Sequence, residues 1–177
     1  MGWLADVWKH GLTPTQRALS RVVERYAAAV AAYERELATL PAATAREQAG
    51  HVLAASPFVR GLAWAGAPAP LLAAGLTAGQ LEFFRQFRRV EAAPTGEPYV
   101  DAQELAPYEW EPAYLRVGQD SEHAHLAVRP GDEVLYVVAD DEPPERAPSQ
   151  SFPTLYHWVL WLHRRGELMG ESGVPTA

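Results

Sequence analysis

Apolar side chains recur at Leu19, Val23, Tyr26, Val30, Tyr33, Leu37 and Leu40, in steps that alternate between four and three. That spacing puts them on one stripe of an α-helix, the stripe by which a helix packs at a shallow angle on another. Thr13 can cap the helix, Pro14 suits its first position, and Gln16 completes a T-x-x-Q capping box. Pro41 ends it. A one-sided helix over about 14–40 needs a second apolar surface, supplied by the rest of the chain or by a second copy. The stripe covers only about three heptads and has Tyr at two positions, which is untypical of dimeric zippers. A partner within the chain is therefore expected, with a monomer or weak dimer as the outcome.

The next segment is the natural partner. Thr44 and Glu47 read as a second capping box, opening a shorter helix over about 45–55 that stops before Pro57. Residues 57–76 are rich in Ala, Gly and Pro and read as a buried, irregular connector. Thr77 and Gln80 form a third box ahead of Leu81, Phe83, Phe84, Phe87 and Val90, a helical spacing with an aromatic face. Three segments then read as strands, Tyr114–Val117, His123–Val128 and Glu133–Ala139, separated by turn residues. Within the last, Val134–Val138 is wholly apolar, as in a strand covered on both faces. A final helix is expected from Ser151, with Leu155, Trp158, Val159 and Leu162 on its core face and Gly166 as its cap. The pattern is that of an α+β protein: a helical N-terminal region over 1–70, an α+β domain over 71–168 and a frayed tail over 169–177.

Charge is divided unevenly along the chain. Residues 1–90 carry six acids and ten bases, and residues 91–177 carry sixteen acids and five bases, about +4 and −11 within the net −7. The acidic half repels phosphate backbones, which argues against nucleic acid as a partner. It attracts a basic protein, or it serves only to keep the domain in solution. There is no cysteine, hence no disulfide, thiolate metal site or cysteine nucleophile. The longest apolar stretch, Leu62–Leu76, contains Pro68 and Pro70 and is too short to cross a bilayer. A soluble, cytoplasmic protein without a membrane partner is expected.

The motifs of residues 76–165 come in a telling order. Leu76-Thr77 opens a helix, followed by Glu104-Leu105, Trp110, and Tyr114-Leu115-Arg116-Val117-Gly118-Gln119-Asp120. After another strand come Glu133-Val134-Leu135-Tyr136-Val137 with acids close behind, and then Ser151-Phe152-Pro153-Thr154-Leu155-Tyr156-His157-Trp158-Val159. Together these resemble the SUKH superfamily, which includes a fungal regulator of cell-wall synthesis and many bacterial immunity proteins against polymorphic toxins. The resemblance covers about half the chain. It departs from the family where Ser121, Glu122 and His123 follow Asp120, since members often carry glycines there. It implies a mainly antiparallel sheet flanked by helices, here with an N-terminal helical extension, and protein binding without a cofactor, typically inhibition of a toxin.

No sequence motif for catalysis stands out, and no enzymatic activity is expected. His123-x-His125 could share a metal ion if both lay on one face of a strand, with Asp120, Glu122 or Asp132 as a third ligand. Two solvent-facing strand histidines are the commoner meaning of that pattern. The partner-binding candidates are Glu109, Trp110 and Glu111, an aromatic between two acids that is either an interface anchor or core. With them go Asp120, Glu122 and the Asp140-Asp141-Glu142 cluster. Pro143 and Pro144 follow that cluster at once, as in a solvated loop.

Overall fold

The structure, a computed structural model, describes residues 13–66, 75–107, 114–139 and 150–172. The Thr13 box forms as the sequence requires: its hydroxyl accepts from the Gln16 N–H while the Gln16 side chain accepts from the Thr13 N–H. Helix α1 then runs Pro14–Thr39. Helix α2, Ala42–Ala55, begins one turn earlier than expected, with Pro41 at its cap and no side-chain capping bond, so Thr44 lies inside it and the second box does not form. Buried Ala45 and Ala49 set that start, since they are the small face on which α2 packs.

The segment read as an irregular connector contains strand β1, Val59–Leu62. The third capping box forms, and helix α3 covers Ala78–Gln86. The helix ends there rather than at Val90: Phe87 is already extended, and Val90 lies in strand β2, Arg89–Ala92. Strands β3 (Tyr99–Asp101) and β4 (Ala106–Pro107) follow, both unforeseen. The three expected strands are present as β5 (Leu115–Ser121), β6 (Ala124–Val128) and β7 (Leu135–Ala139). Residues 150–152 form β8 instead of helix, and the last helix, α4, runs Leu155–Ser172 straight through Gly166. A Cβ on Gly166 would come within 2.6 Å of the Phe58 side chain, so this glycine allows a close approach rather than capping.

The fold is α+β. Its sheet is antiparallel throughout, in the order β1-β2-β3-β5-β6-β7-β8, with the short β4 pairing β5 beyond the end of β3. Gly118 is where β3 and β5 come closest: a Cβ there would sit 2.0 Å from the Tyr99 carbonyl oxygen. One face of the sheet, carrying Val59, Val90, Val100, Leu115, Val117, Leu126, Val128, Leu135, Val137 and Phe152, shares a single core with Leu37 of α1, Ala45 and Ala49 of α2, Phe83 and Phe84 of α3, and Leu155, Trp158, Val159 and Leu162 of α4. All four helices of the described residues contribute to that core. None of them is long and apolar enough to cross a membrane.

Helix α1 lies antiparallel to α4. His157 Nε2 bonds the Leu40 carbonyl at 2.9 Å, and Trp161 Nε1 donates to Glu34 at 3.1 Å. Continued at that register, α4 runs out at Ser172 while α1 extends some ten residues further, about 15 Å. The stripe is therefore used in two ways. Tyr33, Leu37 and Leu40 pack within the chain, whereas Leu19 and Val23 are 51% and 48% exposed.

Candidate docking face

Strand alternation sends every second side chain to the face opposite the shared core. The register places on it the rows Arg60–Glu91–Tyr99–Gln119–His125–Val138, Leu62–Arg89–Asp101 and Arg116–Ala127–Tyr136–Ser151. The face is built from arginine, tyrosine and carboxylate layered in a definite order.

At one end, Glu91 and Asp101 are each 4% exposed. Arg60 and Arg89 both donate to Glu91, the latter through Nε at 2.5 Å. Arg88 and Arg89 approach Asp101 at 3.5 and 3.7 Å. Burial alone would push the Glu91 carboxyl upward, but the hydrogen bonds and charges of the two guanidinium groups outweigh it and hold the group below its usual range. Arg89 also lies 3.7 Å over the Tyr99 ring. The Tyr99 hydroxyl donates to Glu104, which Arg116 approaches at 3.5 Å. At the other end, Arg129 stacks on Tyr114 and Tyr136 and donates to the Tyr114 hydroxyl. Tyr136 donates to Asp132 at 2.6 Å. Burial, and then that bond to a carboxylate, push the Tyr136 phenol up to about 12.

Acids lie beneath and arginines lie above: the Arg60 side chain is 56% exposed, against 6% for Glu91. The arginines over Glu91 and Asp101 come from positions 60, 88 and 89, all in the basic half of the sequence. The charge asymmetry along the chain is thus partly cancelled in space. Linear charge counting missed this face because the sheet register, not sequence spacing, sets Arg60 against Glu91 and Arg89 against Asp101.

Of the acids singled out from sequence, Glu122 is exposed in the two-residue turn between β5 and β6. Asp120 is half-buried; burial raises its carboxyl, with Arg165 of α4 opposing the shift. Glu109, Trp110, Glu111, Asp140, Asp141 and Glu142 lie outside the described residues. Their flanks are placed, however. Segment 140–149 departs from Ala139, paired with Ala124 beside the Glu122 turn, and segment 108–113 ends at Tyr114, next to the Leu115–Val128–Leu135 end. The length of β6, about 15 Å, separates those two ends.

His123 lies in the turn, not in a strand, so alternation does not align it with His125. Among the described residues no three His, Asp or Glu side chains converge where a metal ion could sit. A second constellation was invisible in the sequence. Ser56 Oγ is 2.8 Å from His163 Nδ1, and His163 Nε2 is 3.3 Å from Glu167. The order is that of a hydrolytic triad. Yet Ser56 Oγ also accepts the Phe58 N–H at 3.0 Å, and Arg164 shares Glu167 at 3.1 Å. With its hydroxyl oxygen and its carboxylate both engaged elsewhere, the trio serves to tie the end of α2 to α4. No protein-family model matches this chain, and no curated protein and no solved structure matches it at a significant level.

Proposed function

We propose that this chain is a non-catalytic protein-binding module of the SUKH type, acting as an immunity protein that binds and neutralises a toxic protein partner. One observation carries the reading: the helices of the described residues join the core on one side of the sheet, while the other side presents arginines, with Arg60 and Arg129 exposed, over tyrosines of which Tyr99 and Tyr114 are buried. These residue types dominate protein interfaces, because a stacked guanidinium and a phenol offer contact area with little side-chain entropy left to lose. The arginines are held in place from below by Glu91, Asp101, Glu104 and Tyr114, so docking does not have to order them. Glu122, exposed in the turn between β5 and β6, would contribute negative charge to the rim that attracts a basic partner.

Affinity capture with the whole chain tests this, comparing the native protein with an Arg60→Glu/Arg116→Glu variant and a Glu122→Lys variant. The native chain is expected to retain one protein partner and to suppress its toxicity on co-expression. The arginine variant loses that partner outright. Retention by the Glu122 variant weakens, as native binding does when salt rises from about 50 to 500 mM. A partner held equally by all three chains at every salt concentration refutes the assignment.

The exposed Leu19–Val23 stretch favours a second reading, a dimer joined through α1. The Tyr33–Leu40 half of the stripe is already used within the chain, which leaves about two turns for a second copy. Sedimentation showing a monomer at all concentrations removes this reading.

A further inference from the structure

On the sheet face, arginines are matched by acids. Arg60 and Arg89 donate to Glu91, Arg88 and Arg89 approach Asp101, and Arg116 approaches Glu104. Arg129 differs. It follows Val128 at the end of β6, two residues beyond Ala127, and alternation puts it on the same face as Arg116 and Tyr136. It is exposed, and among the described residues it makes no ion pair. What fixes it is neutral. Its guanidinium lies 4.8 Å from the centre of the Tyr114 ring and 5.1 Å from that of Tyr136. Nε and Nη2 both donate to the Tyr114 hydroxyl, Nε at 2.7 Å.

Asp132 stands close enough to act on this charge, but both its oxygens are committed, Oδ2 to the Tyr136 hydroxyl and Oδ1 to the Val134 N–H. The Tyr114 phenol takes the Nε–Nη2 edge of the guanidinium, so the Nη1–Nη2 edge is left free. Two parallel N–H groups on a planar fork match the two oxygens of a carboxylate. Because the rings already hold the fork, seating a carboxylate on it costs little side-chain entropy. Docking makes the match compulsory. A partner covering Arg129 with apolar atoms would strip water from a cation that has no counter-ion, a costly step.

We infer that Arg129, clamped between Tyr114 and Tyr136, receives the carboxylate of one acidic side chain on the docked protein. The inference rests on the sheet being the docking face, and it adds what fixes the partner's position there. Opposite charge brings a basic protein up, and a single acid on that protein seats on Arg129. A phosphate would fit the same fork, but the acidic half of the chain repels the polyanion that would carry it.

The test has two arms, both on the whole chain. The first needs no partner. The Arg129 Nε–H signal of the ¹⁵N-labelled chain, identified by its loss in Arg129→Gln, is followed as sodium acetate replaces sodium chloride at equal ionic strength. Acetate is expected to move it with a Kd of about 100 mM. A signal that responds alike to acetate and chloride overturns the inference. The second arm uses the protein that the native chain captures. Arg129→Gln should weaken its binding about 100-fold, since the partner's carboxylate is then buried unpaired. Arg129→Lys, charged but without the fork, and Tyr114→Phe, which frees the fork, should each weaken it about tenfold. Melting temperatures should not change. If Arg60→Glu/Arg116→Glu loses the partner and Arg129→Gln keeps it, the sheet face stands as the docking surface and this inference falls. If the native chain retains no protein, the function proposed above falls, and the acetate response alone decides whether Arg129 is a carboxylate receptor. Retention that nuclease treatment abolishes points to phosphate and overturns the assignment of a carboxylate.

Discussion

His157 is fully buried, and it ties the two longest helices together. A carbonyl oxygen can only accept, so Nε2 must carry the proton given to Leu40, leaving Nδ1 to accept from the Thr154 hydroxyl at 2.8 Å. His157→Ala strands the Leu40 carbonyl and opens a void. The first costs about 1–3 kcal/mol and the second about 2 kcal/mol or more, together about 4 kcal/mol. Two controls separate these contributions. His157→Leu fills most of the space but donates nothing, and should cost about 2 kcal/mol. His157→Gln places an amide N–H near the position of Nε2 and should cost about 1 kcal/mol. Urea unfolding at neutral pH gives the order Gln, Leu, Ala, and the alanine variant should melt about 10 °C lower, since 1 kcal/mol moves a chain of this size by about 2–4 °C. If leucine proves as stable as histidine, the bond to Leu40 contributes nothing and the argument for a tie between α1 and α4 fails.

Three more outcomes are expected. Glu91→Gln leaves Arg60 and Arg89 without their shared carboxylate and costs about 2–3 kcal/mol, less than a fully sealed pair because Arg60 is half-exposed. Because folding lowers the Glu91 pKa, its contribution is complete above the ordinary carboxylate range and fades as pH falls through the folded-state value. Urea midpoints between pH 7 and pH 3 should therefore fall less steeply in the glutamine variant than in the native chain. Gly118→Ala drives a methyl into the Tyr99 carbonyl and should cost about 3 kcal/mol or abolish folding, read as melting temperature and soluble yield. Thr77→Ala removes the hydroxyl that accepts the Gln80 N–H in the α3 capping box, while the bond from the residue 77 N–H to the Gln80 side chain is retained, and should cost about 1 kcal/mol in the same measurement.

What the sequence disclosed was local. The Thr13 and Thr77 boxes, the stripe of α1, and strands β5, β6 and β7 all follow from residues within a few positions of one another. The Thr44 box failed because a tertiary demand, burying Ala45 and Ala49 against α4, moved the helix start by three residues. Strands β2 and β3 escaped notice for a related reason. Glu91 and Asp101 look like loop residues until the sheet sets Arg60 beside Glu91 and Arg88 and Arg89 beside Asp101 to neutralise them. The same blindness hid the joint between Ser56 and His163, 107 positions apart. The uneven charge was legible as a count but not as a field, because folding sets basic side chains from the first half over acids of the second.

The unequal lengths of α1 and α4 have a mechanical corollary. Helix α1 is clamped at its far end by His157 and Trp161, and among the described residues nothing comparable holds it near Thr13, as a cantilever is held at its root. About 30 Å of rod separates the Tyr33 contact from the tip, so rocking by 10° at the root swings the tip by about 5 Å. A spin label at Thr15 would therefore magnify small changes at the α1–α4 junction into displacements that are easily measured.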